Sequence, residues 1–544
     1  MRSKRLRRVA KLAIAGCVVW LALWVFEALL WFCFPLRQGL LDLGLSSRVV
    51  LAADGTLMRV TPNRLGERCL PVTLAEVSPH VVSALLAAED RRFLAHTGVD
   101  VRAILRAFGQ NLSRGRTFSG ASTITMQLAR LCESTPHTLL GKAWQALRAR
   151  QIERAHTKNA ILEAYLTGVP FAGNVRGIEA AALLWFGKRA KDLDVVEAAT
   201  LIAMLPAPGR RSPSRGEDLL LLQRNLVLDA MHAVGSLAAL ELERARQRPL
   251  DAKRHDWPWL AADASEYILG TSSGRELRTA IDLAMQRAAE DVVAHARSLQ
   301  VSGIAIVVLS RVNGDLVALV GGRRGPGVLL DHALCARPAG STLKPLLYAL
   351  ALEAGVIGSE GTLSDRPVAF GNYRPSNFSR TFAGETTFAD ALGDSKNVPA
   401  VRLLKQVGVD RFRDWLALLG LFTSDQPLGL DVALGTLSVR PIDLAKAYVA
   451  VLAEQGPCTV SEPTRTTLLR ALSRRSPDLA WCAVGDIAWK TGTSSDRRDA
   501  WSVGITERHV LVVWAGESSG TSHPGLVGAR AASELLAPLF AATR

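Results

Sequence analysis

Apolar positions along the chain change their period several times, and each change marks a new kind of element. The first stretch has no period: Leu12 to Phe34 is an apolar run of 23 residues whose only charge is Glu27. About 20 apolar residues span a bilayer. The run is bulky and ends Trp31-Phe32-Cys33-Phe34, without the small residues of a signal-peptide cleavage site. It reads as an uncleaved single-span anchor over residues 12–34. The arm before it, residues 1–11, holds six basic side chains and no acid, so the positive-inside rule leaves it in the cytoplasm. Residues 35–544 are then expected beyond the membrane.

Residues 36–75 mix strand and turn, with Asp54-Gly55 as a hairpin signal. From Ser78 to about Val234 the period is helical, as in VVSALLAAEDRRFLAH, TKNAILEAYLTG and VVEAATLIAML. Ser78-Pro79 supplies an N-cap and a proline at the first helical position, and Pro206 and Pro208 close a later helix. These define an all-α domain over 50–235. Residues 236–275 are polar and irregular and read as a linker. From Leu277 the texture changes. GIAIVVLSRVNGDLVALVGG predicts a strand, an Asn313-Gly314 turn and a second strand. Helices are expected around 342–355, 388–420 and 441–455, and WSVGIT and HVLVVWAGE form two strands that end the chain. Residues 276–544 therefore read as an α+β domain.

Composition narrows the function classes. With 49% hydrophobic and 21% charged residues the chain is not largely disordered. Aromatics at 6% argue against a base-stacking RNA binder; the net charge is +15, and the excess of arginine over lysine reads as codon bias and not as recognition, so no nucleic acid is expected. Seven cysteines without a C-x-x-C exclude a zinc ribbon or a disulfide framework. P-loop and zincin motifs are absent.

Three short motifs in the second domain carry chemistry. In Ser341-Thr342-Leu343-Lys344 the lysine lies on the serine's face of a helix start, three residues on. A serine hydroxyl needs a base, and a desolvated lysine can serve where arginine cannot. Ser395-Lys396-Asn397 offers a hydroxyl and a carboxamide to the same cleft. In Lys490-Thr491-Gly492-Thr493, read as an edge strand, Gly492 admits an extended substrate and Lys490 attracts a carboxylate. Lysines are scarce in this chain, yet each motif contains one. The ordered trio is the acyl-transfer set of penicillin-binding proteins and class A β-lactamases. Residues 277–515 resemble a penicillin-binding transpeptidase domain, with LRTAIDLAMQRAAE similar to its opening helix and ARPAGSTLKP to its nucleophile region. YRPSNF with ALGDSKNVPA resembles the second motif, and WKTGTSSDRRDAWSVG the third. The resemblance implies a catalytic set of Ser341, Lys344, Ser395, Asn397 and Lys490, substrate contacts at Thr491, Gly492 and Thr493, and β-lactams as ligands of Ser341.

In the first domain, Glu89-Asp90-Arg91-Arg92-Phe93 through His96 and Gly98, followed by GASTITMQLAR, resembles the signature motifs of family 51 peptidoglycan glycosyltransferases. KAWQALRARQIERAHTKNAILEAYL and GIEAAALLWFGK resemble later motifs of the same family. Together the two halves resemble class A penicillin-binding proteins, and Met126, the ARL that follows and VPFAG point to the 1C branch. The implied fold is an all-α, lysozyme-like glycosyltransferase domain followed by an α+β, β-lactamase-like serine transpeptidase domain. The implied chemistry joins a sugar hydroxyl to an anomeric carbon that bears a lipid pyrophosphate. Glu89 suits the general base. Lys142, Arg130, Arg150 and Arg154 are candidates to neutralise the leaving pyrophosphate, with Lys142 best placed by motif. Asp90, Ser122, Thr123 and Gln127 are expected on the substrate side, and His96 in a structural hydrogen bond beside them.

One position departs from the family pattern. Gln145 stands where a second glutamate is usual, and glutamine neither holds charge nor takes a proton. Glu153 is the expected partial substitute in the donor site. No cofactor is required on this reading, and any divalent cation, Mg or Mn, is auxiliary. The 1C branch usually carries a further β-rich domain, for which the sequence to Arg544 leaves no room, so partner recruitment through it is not expected. The expected function is a bifunctional synthase at the bacterial inner membrane, with lipid II and the growing glycan strand as substrates and cell-wall synthesis proteins as partners. The rival readings are a membrane-anchored penicillin-binding sensor and a DD-carboxypeptidase, with weak or no glycosyltransferase activity.

Overall fold

The computed structural model describes residues 31–106, 122–136, 138–296, 301–322, 331–423, 427–473, 487–494, 496–523, 525–526 and 531–542. Most of the expected anchor lies outside these residues, and among the described ones no helix is long and apolar enough to cross a membrane. The chain divides into two compact units, residues 1–49 with 60–258 and residues 50–59 with 259–544.

The first unit is helical. After β1 (Val49–Leu51), β2 (Leu57–Val60) and β3 (Arg68–Cys69) come α1 (Pro79–Glu89), α2 (Ile124–Glu133), α3 (Leu139–Ala155) and α4 (Lys158–Gly168). Short strands β4 (Pro170–Phe171) and β5 (Val175–Arg176) join β3 in a small sheet. Then follow α5 (Ile178–Phe186), α6 (Val195–Met204), α7 (Glu217–Ala233) and α8 (Ala239–Gln247). Ser78 caps α1 by accepting from the His80 N–H, with Pro79 at the first helical position, as its sequence predicts. The apolar helix α6 is buried almost throughout and packs on α1 and α7. The residues that end the apolar run lie against α3. Arg148 Nη1 and Gln151 Nε2 donate to the Phe34 carbonyl at 2.8 and 3.0 Å, Phe34 meets Trp144 edge-on at 5.1 Å, and Arg154 lies over the Trp31 ring at 4.0 Å.

The second unit is built on a five-stranded antiparallel sheet in the order β13 (Ala488–Thr493), β14 (Asp499–Ile505), β15 (His509–Gly516), β7 (Gly303–Ser310) and β8 (Leu316–Val320). Side chains alternate across a strand. On β7, Ala305, Val307 and Leu309 enter the core shared with α11 (Lys344–Glu353), α13 (Asn397–Val407) and α15 (Pro441–Leu452). Ile304, Ile306 and Val308 enter the opposite core with α10 (Leu283–His295). The Asn313-Gly314 turn joins β7 to β8, with Gly314 at φ 74°. β10 (Thr362–Asp365) and β11 (Gly384–Thr387) form a separate antiparallel ribbon, and α12 (Phe388–Gly393) leads from it toward α13.

Three expectations change. Residues 236–275 are not irregular: they contain α8 and, in the second unit, α9 (Ala262–Thr271). Fully buried Arg224 on α7 donates to the carbonyls of Arg246, Arg248 and Pro249, which ties the segment after α8 onto the first unit. The boundary at residue 50 also moves, because β1 pairs with β6 (Glu276–Arg278) and Val50 and Met58 join the second unit's core. Finally, two short helices, α17 (Ala531–Glu534) and α18 (Leu536–Ala542), follow the last strand and cover the sheet with Leu536, Leu539 and Phe540.

Candidate active sites

In the second unit the three motifs meet. Ser341 lies in a 3-10 turn, Gly340–Leu343, that leads into α11, and the Lys344 N–H donates to the Ser341 carbonyl. Residues three apart eclipse in such a turn, which keeps Lys344 on the side of Ser341. Lys344 is fully buried. Its Nζ donates to the Ser395 carbonyl and to Asn397 Oδ1, both at 2.7 Å. Lys490 Nζ donates to Ser395 Oγ at 2.8 Å and to the Thr491 carbonyl at 2.7 Å. Burial, then the neighbouring Lys490 charge, hold Lys344 well below the usual lysine range. Burial alone brings Lys490 down to about 7. Both amines are thus disposed to give up a proton, which a catalytic base requires and a surface lysine does not offer.

Strand β13 is the sheet edge, as expected, and alternates Lys490 and Gly492 buried with Thr491 and Thr493 half-buried. A Cβ at Gly492 would lie 2.8 Å from the Ala339 carbonyl, so only glycine lets the strand approach the nucleophile turn. Gly340, at φ 56°, is equally confined by the Thr493 backbone. Trp501 on β14 donates to the Pro338 carbonyl at 2.8 Å, and buried Tyr448 to the Thr342 carbonyl at 2.6 Å. Ser395 itself sits at φ 58°, a left-handed conformation that costs a non-glycine residue about 1–3 kcal/mol and gathers at functional sites.

In the first unit Glu89 is half-buried at the end of α1. Gln127 on α2 donates from Nε2 to Glu89 Oε2 at 2.8 Å and accepts at Oε1 from the Tyr165 hydroxyl at 2.9 Å. Burial raises the Tyr165 phenol, so it stays a donor and fixes which end of the Gln127 amide faces Glu89. Asp90 and His96 are a buried pair at 3.0 Å. The Gly98 N–H donates to His96 Nδ1, which leaves Nε2–H to donate to Asp90, so His96 has no free nitrogen for catalysis. Asp90 also accepts from the Ile124 N–H at the start of α2. Thr123 caps α2 and donates to the Gly98 carbonyl at 2.6 Å. On the open side, Lys142 Nζ donates to Ser122 Oγ at 2.5 Å, and Lys142, Arg130 and Arg150 are exposed.

The transglycosylase family model matches residues 55–232, and the model of the penicillin binding protein transpeptidase domain matches residues 304–456. Penicillin-binding protein 1C of Escherichia coli (strain K12) is 34% identical over 520 residues, covering 90% of this chain and 67% of that protein. The chain belongs to the class A penicillin-binding proteins. Penicillin-binding protein 1F of Bacillus subtilis (strain 168) is 30% identical, covering 82% of this chain and 70% of that one. The crystal structure of penicillin-binding protein 1A from Haemophilus influenzae shares the fold at a TM-score of 0.53 and 18% identity, over 91% of this chain and 92% of that one. As a class A penicillin-binding protein the chain is a bifunctional peptidoglycan synthase, a glycosyltransferase and a transpeptidase in one polypeptide.

Several residues expected to touch substrate in this penicillin-binding protein are instead spent inside the domain. Asp90 and Thr123 are two of them, and together with His96, whose bond to Asp90 is the structural one expected, they support the segment that carries Glu89. Glu153 is a second correction: its carboxylate accepts from Thr125 Oγ1 at 2.6 Å and Lys158 Nζ at 2.8 Å, so it does not substitute for the missing donor-site glutamate. Gln145 is 4% exposed and gives its amide to Thr135 Oγ1 at 2.6 Å. Gln145 and Glu153 thus both make their bonds inside the domain, and the described residues hold no cluster of three or more His, Cys, Asp or Glu. Tyr165, Lys158, Asp365 and Asn377 were not singled out from sequence. Lys158, one of the scarce lysines, also donates to the His96 carbonyl and lies over the Phe93 ring at 4.2 Å.

Proposed function

We propose that Glu89 removes the proton from the attacking sugar hydroxyl of lipid II or the glycan acceptor, while Lys142 and Arg130 neutralise the departing lipid pyrophosphate. Inversion at the anomeric carbon then needs no covalent sugar intermediate. The observation behind this is the Tyr165–Gln127–Glu89 chain, which orients a half-buried carboxylate beside a face that presents exposed cations. In the second domain, Ser341 attacks the carbonyl of a D-Ala-D-Ala stem peptide and Lys344 takes the hydroxyl proton. The bond to the terminal D-Ala nitrogen breaks, and Ser395, bonded to Lys490, passes a proton to that leaving amine. An amine from a neighbouring stem then displaces Ser341 and forms the cross-link. A β-lactam would stop at the acyl-enzyme.

The lipid tail of the glycosyl donor agrees with an anchor in the bacterial inner membrane, N-terminus inside and catalytic domains in the periplasm. The docking of Trp31 and Phe34 on α3, the helix that also carries Lys142, supports that placement. Intact-protein mass spectrometry after penicillin treatment tests the nucleophile: wild type should gain one acyl adduct and Ser341→Ala none. Labelling of the variant would show the wrong nucleophile. Protease added to spheroplasts should degrade the chain from about residue 36. Protection of the bulk of the chain would overturn the topology.

A further inference from the structure

The turn that presents Ser395 and Asn397 to Lys344 is held from outside its own motif. Helix α13 begins at Asn397, yet the residue before it, Lys396, makes no side-chain cap. The cap comes from twenty residues upstream: Asn377 Oδ1 accepts from the Asn397 N–H at 2.9 Å and the Val398 N–H at 3.2 Å. The other end of the same amide donates to Asp365 Oδ1 at 2.7 Å and to the Thr381 carbonyl at 2.9 Å. All four hydrogen-bonding positions of the Asn377 side chain are therefore used, a pattern that neither aspartate nor serine reproduces.

Asp365 is fully buried at the end of β10, opposite Gly384 of β11. Its second oxygen accepts from the Ala383 N–H at 2.9 Å and lies 3.6 Å from Lys396 Nζ. The carboxylate thus folds the loop between β10 and β11 back onto the turn. The neighbouring Ser376 carbonyl takes the Asn397 Nδ2–H at 2.9 Å. That bond decides which end of the Asn397 carboxamide faces Lys344: the oxygen, at 2.7 Å. A neutral lysine amine has two N–H bonds. The Ser395 carbonyl and Asn397 Oδ1 accept both at 2.7 Å, with Ser395 Oγ at 3.4 Å from the same nitrogen, whose lone pair is the group that must receive the Ser341 proton.

We propose that Asn377, held by the buried carboxylate of Asp365, is a positioning residue for acylation: it clamps the Ser395–Asn397 turn in its left-handed conformation so that the acceptors orient the Lys344 amine. This rests on Ser341 as the nucleophile and Lys344 as its base. Asn377 touches no reacting atom, so its effect belongs in the rate of acylation and not in the noncovalent capture of the drug.

The test follows acylation of the detergent-solubilised full chain by a fluorescent penicillin across drug concentrations, which separates the limiting acylation rate from the noncovalent binding constant. Asn377→Ala should lower the limiting rate by about 10²-fold, the scale of a small misplacement of catalytic groups. The binding constant should change little, while the melting temperature falls, because Asp365, the Thr381 carbonyl and the two capped N–H groups lose their partner. Asn377→Asp keeps the capping oxygen but sets a carboxylate against Asp365, and should lose a similar factor. Asp365→Asn combined with Asn377→Asp exchanges donor and acceptor across the pair and keeps the caps, giving up the bond to the Thr381 carbonyl, and should recover part of the lost rate. A wild-type limiting rate in Asn377→Ala, a loss confined to the binding constant, or an exchange variant no better than Asn377→Asp would each overturn the proposal. Absence of any adduct on wild-type Ser341 would instead bring down the reading on which it rests.

Discussion

Replacing Lys490 by methionine keeps much of the side-chain volume and removes the charge, and it exposes what the active site costs the fold. Lys490 is 3% exposed and its amine is brought from the ordinary 10.5 to about 7 by burial. Between those two values the unfolded chain holds a proton that the folded chain does not. Stability therefore rises with pH across that window. One unit is worth about 1.4 kcal/mol, so raising the pH from about 7 to about 9.5 should stabilise the second unit by about 3 kcal/mol through Lys490. Methionine abolishes this dependence. It also removes the Lys490 donor from the Thr491 carbonyl, a cost of about 1–3 kcal/mol that does not vary with pH, while Ser395 Oγ keeps the longer contact to Lys344. The slope and not the absolute stability is thus the diagnostic. Lys344, depressed first by its own burial, adds a slope of the same sign in both proteins. Urea unfolding of the full chain, read by pulse proteolysis of the second unit at both pH values, gives the two slopes. Equal slopes for wild type and Lys490→Met, or a wild type that loses stability relative to the variant as pH rises, would refute the reasoning.

Tyr165→Phe removes the hydroxyl that orients Gln127; polymerisation of lipid-linked substrate should fall about tenfold while penicillin labelling of Ser341 is unchanged. Gln145→Glu restores the family's usual carboxylate at a position only 4% exposed, where an unpaired charge is costly, so polymerisation should stay level or fall, with or without added divalent metal. Arg224→Met strips the donors from the Arg246, Arg248 and Pro249 carbonyls; the thermal half-life of polymerisation should shorten, by a loss of about 3 kcal/mol in the first unit, with penicillin labelling unaffected.

Local signals in the sequence carry both sites, because their chemistry is written in contiguous motifs. Ser341 and Lys344 are three residues apart, and Asn313-Gly314 marks its own turn. The edge position of β13 is also legible from its motif, although Gly492 answers to the Ala339 carbonyl and not to the extended substrate expected there. What escapes is decided by partners distant in sequence. The segment 236–275 looks irregular because part of its order comes from Arg224, a buried guanidinium on another helix, and a charged residue carries no apolar period. Residues 50–59 join the second unit through pairing with β6, more than 200 residues on. Asn377 lies inside a recognised segment, but it supplies α13 with the cap that Lys396, a donor only, cannot, and no spacing rule reports a cap from twenty residues away. Glu153 misleads for the opposite reason: its carboxylate is conspicuous in sequence, and only the structure shows it paired with Lys158 and Thr125.

The central claim, two independent catalytic centres on one chain, is tested most directly by giving purified Glu89→Gln and Ser341→Ala proteins lipid-linked disaccharide-peptide and separating the products by chain length and cross-linking. Glu89→Gln should make no glycan, a loss on the scale of about 10²–10⁴-fold for a general base, while its Ser341 still labels with penicillin at the wild-type rate. Ser341→Ala should make long glycan without cross-links. Glycan from Glu89→Gln at the wild-type rate, or cross-linked product from Ser341→Ala, would contradict the account.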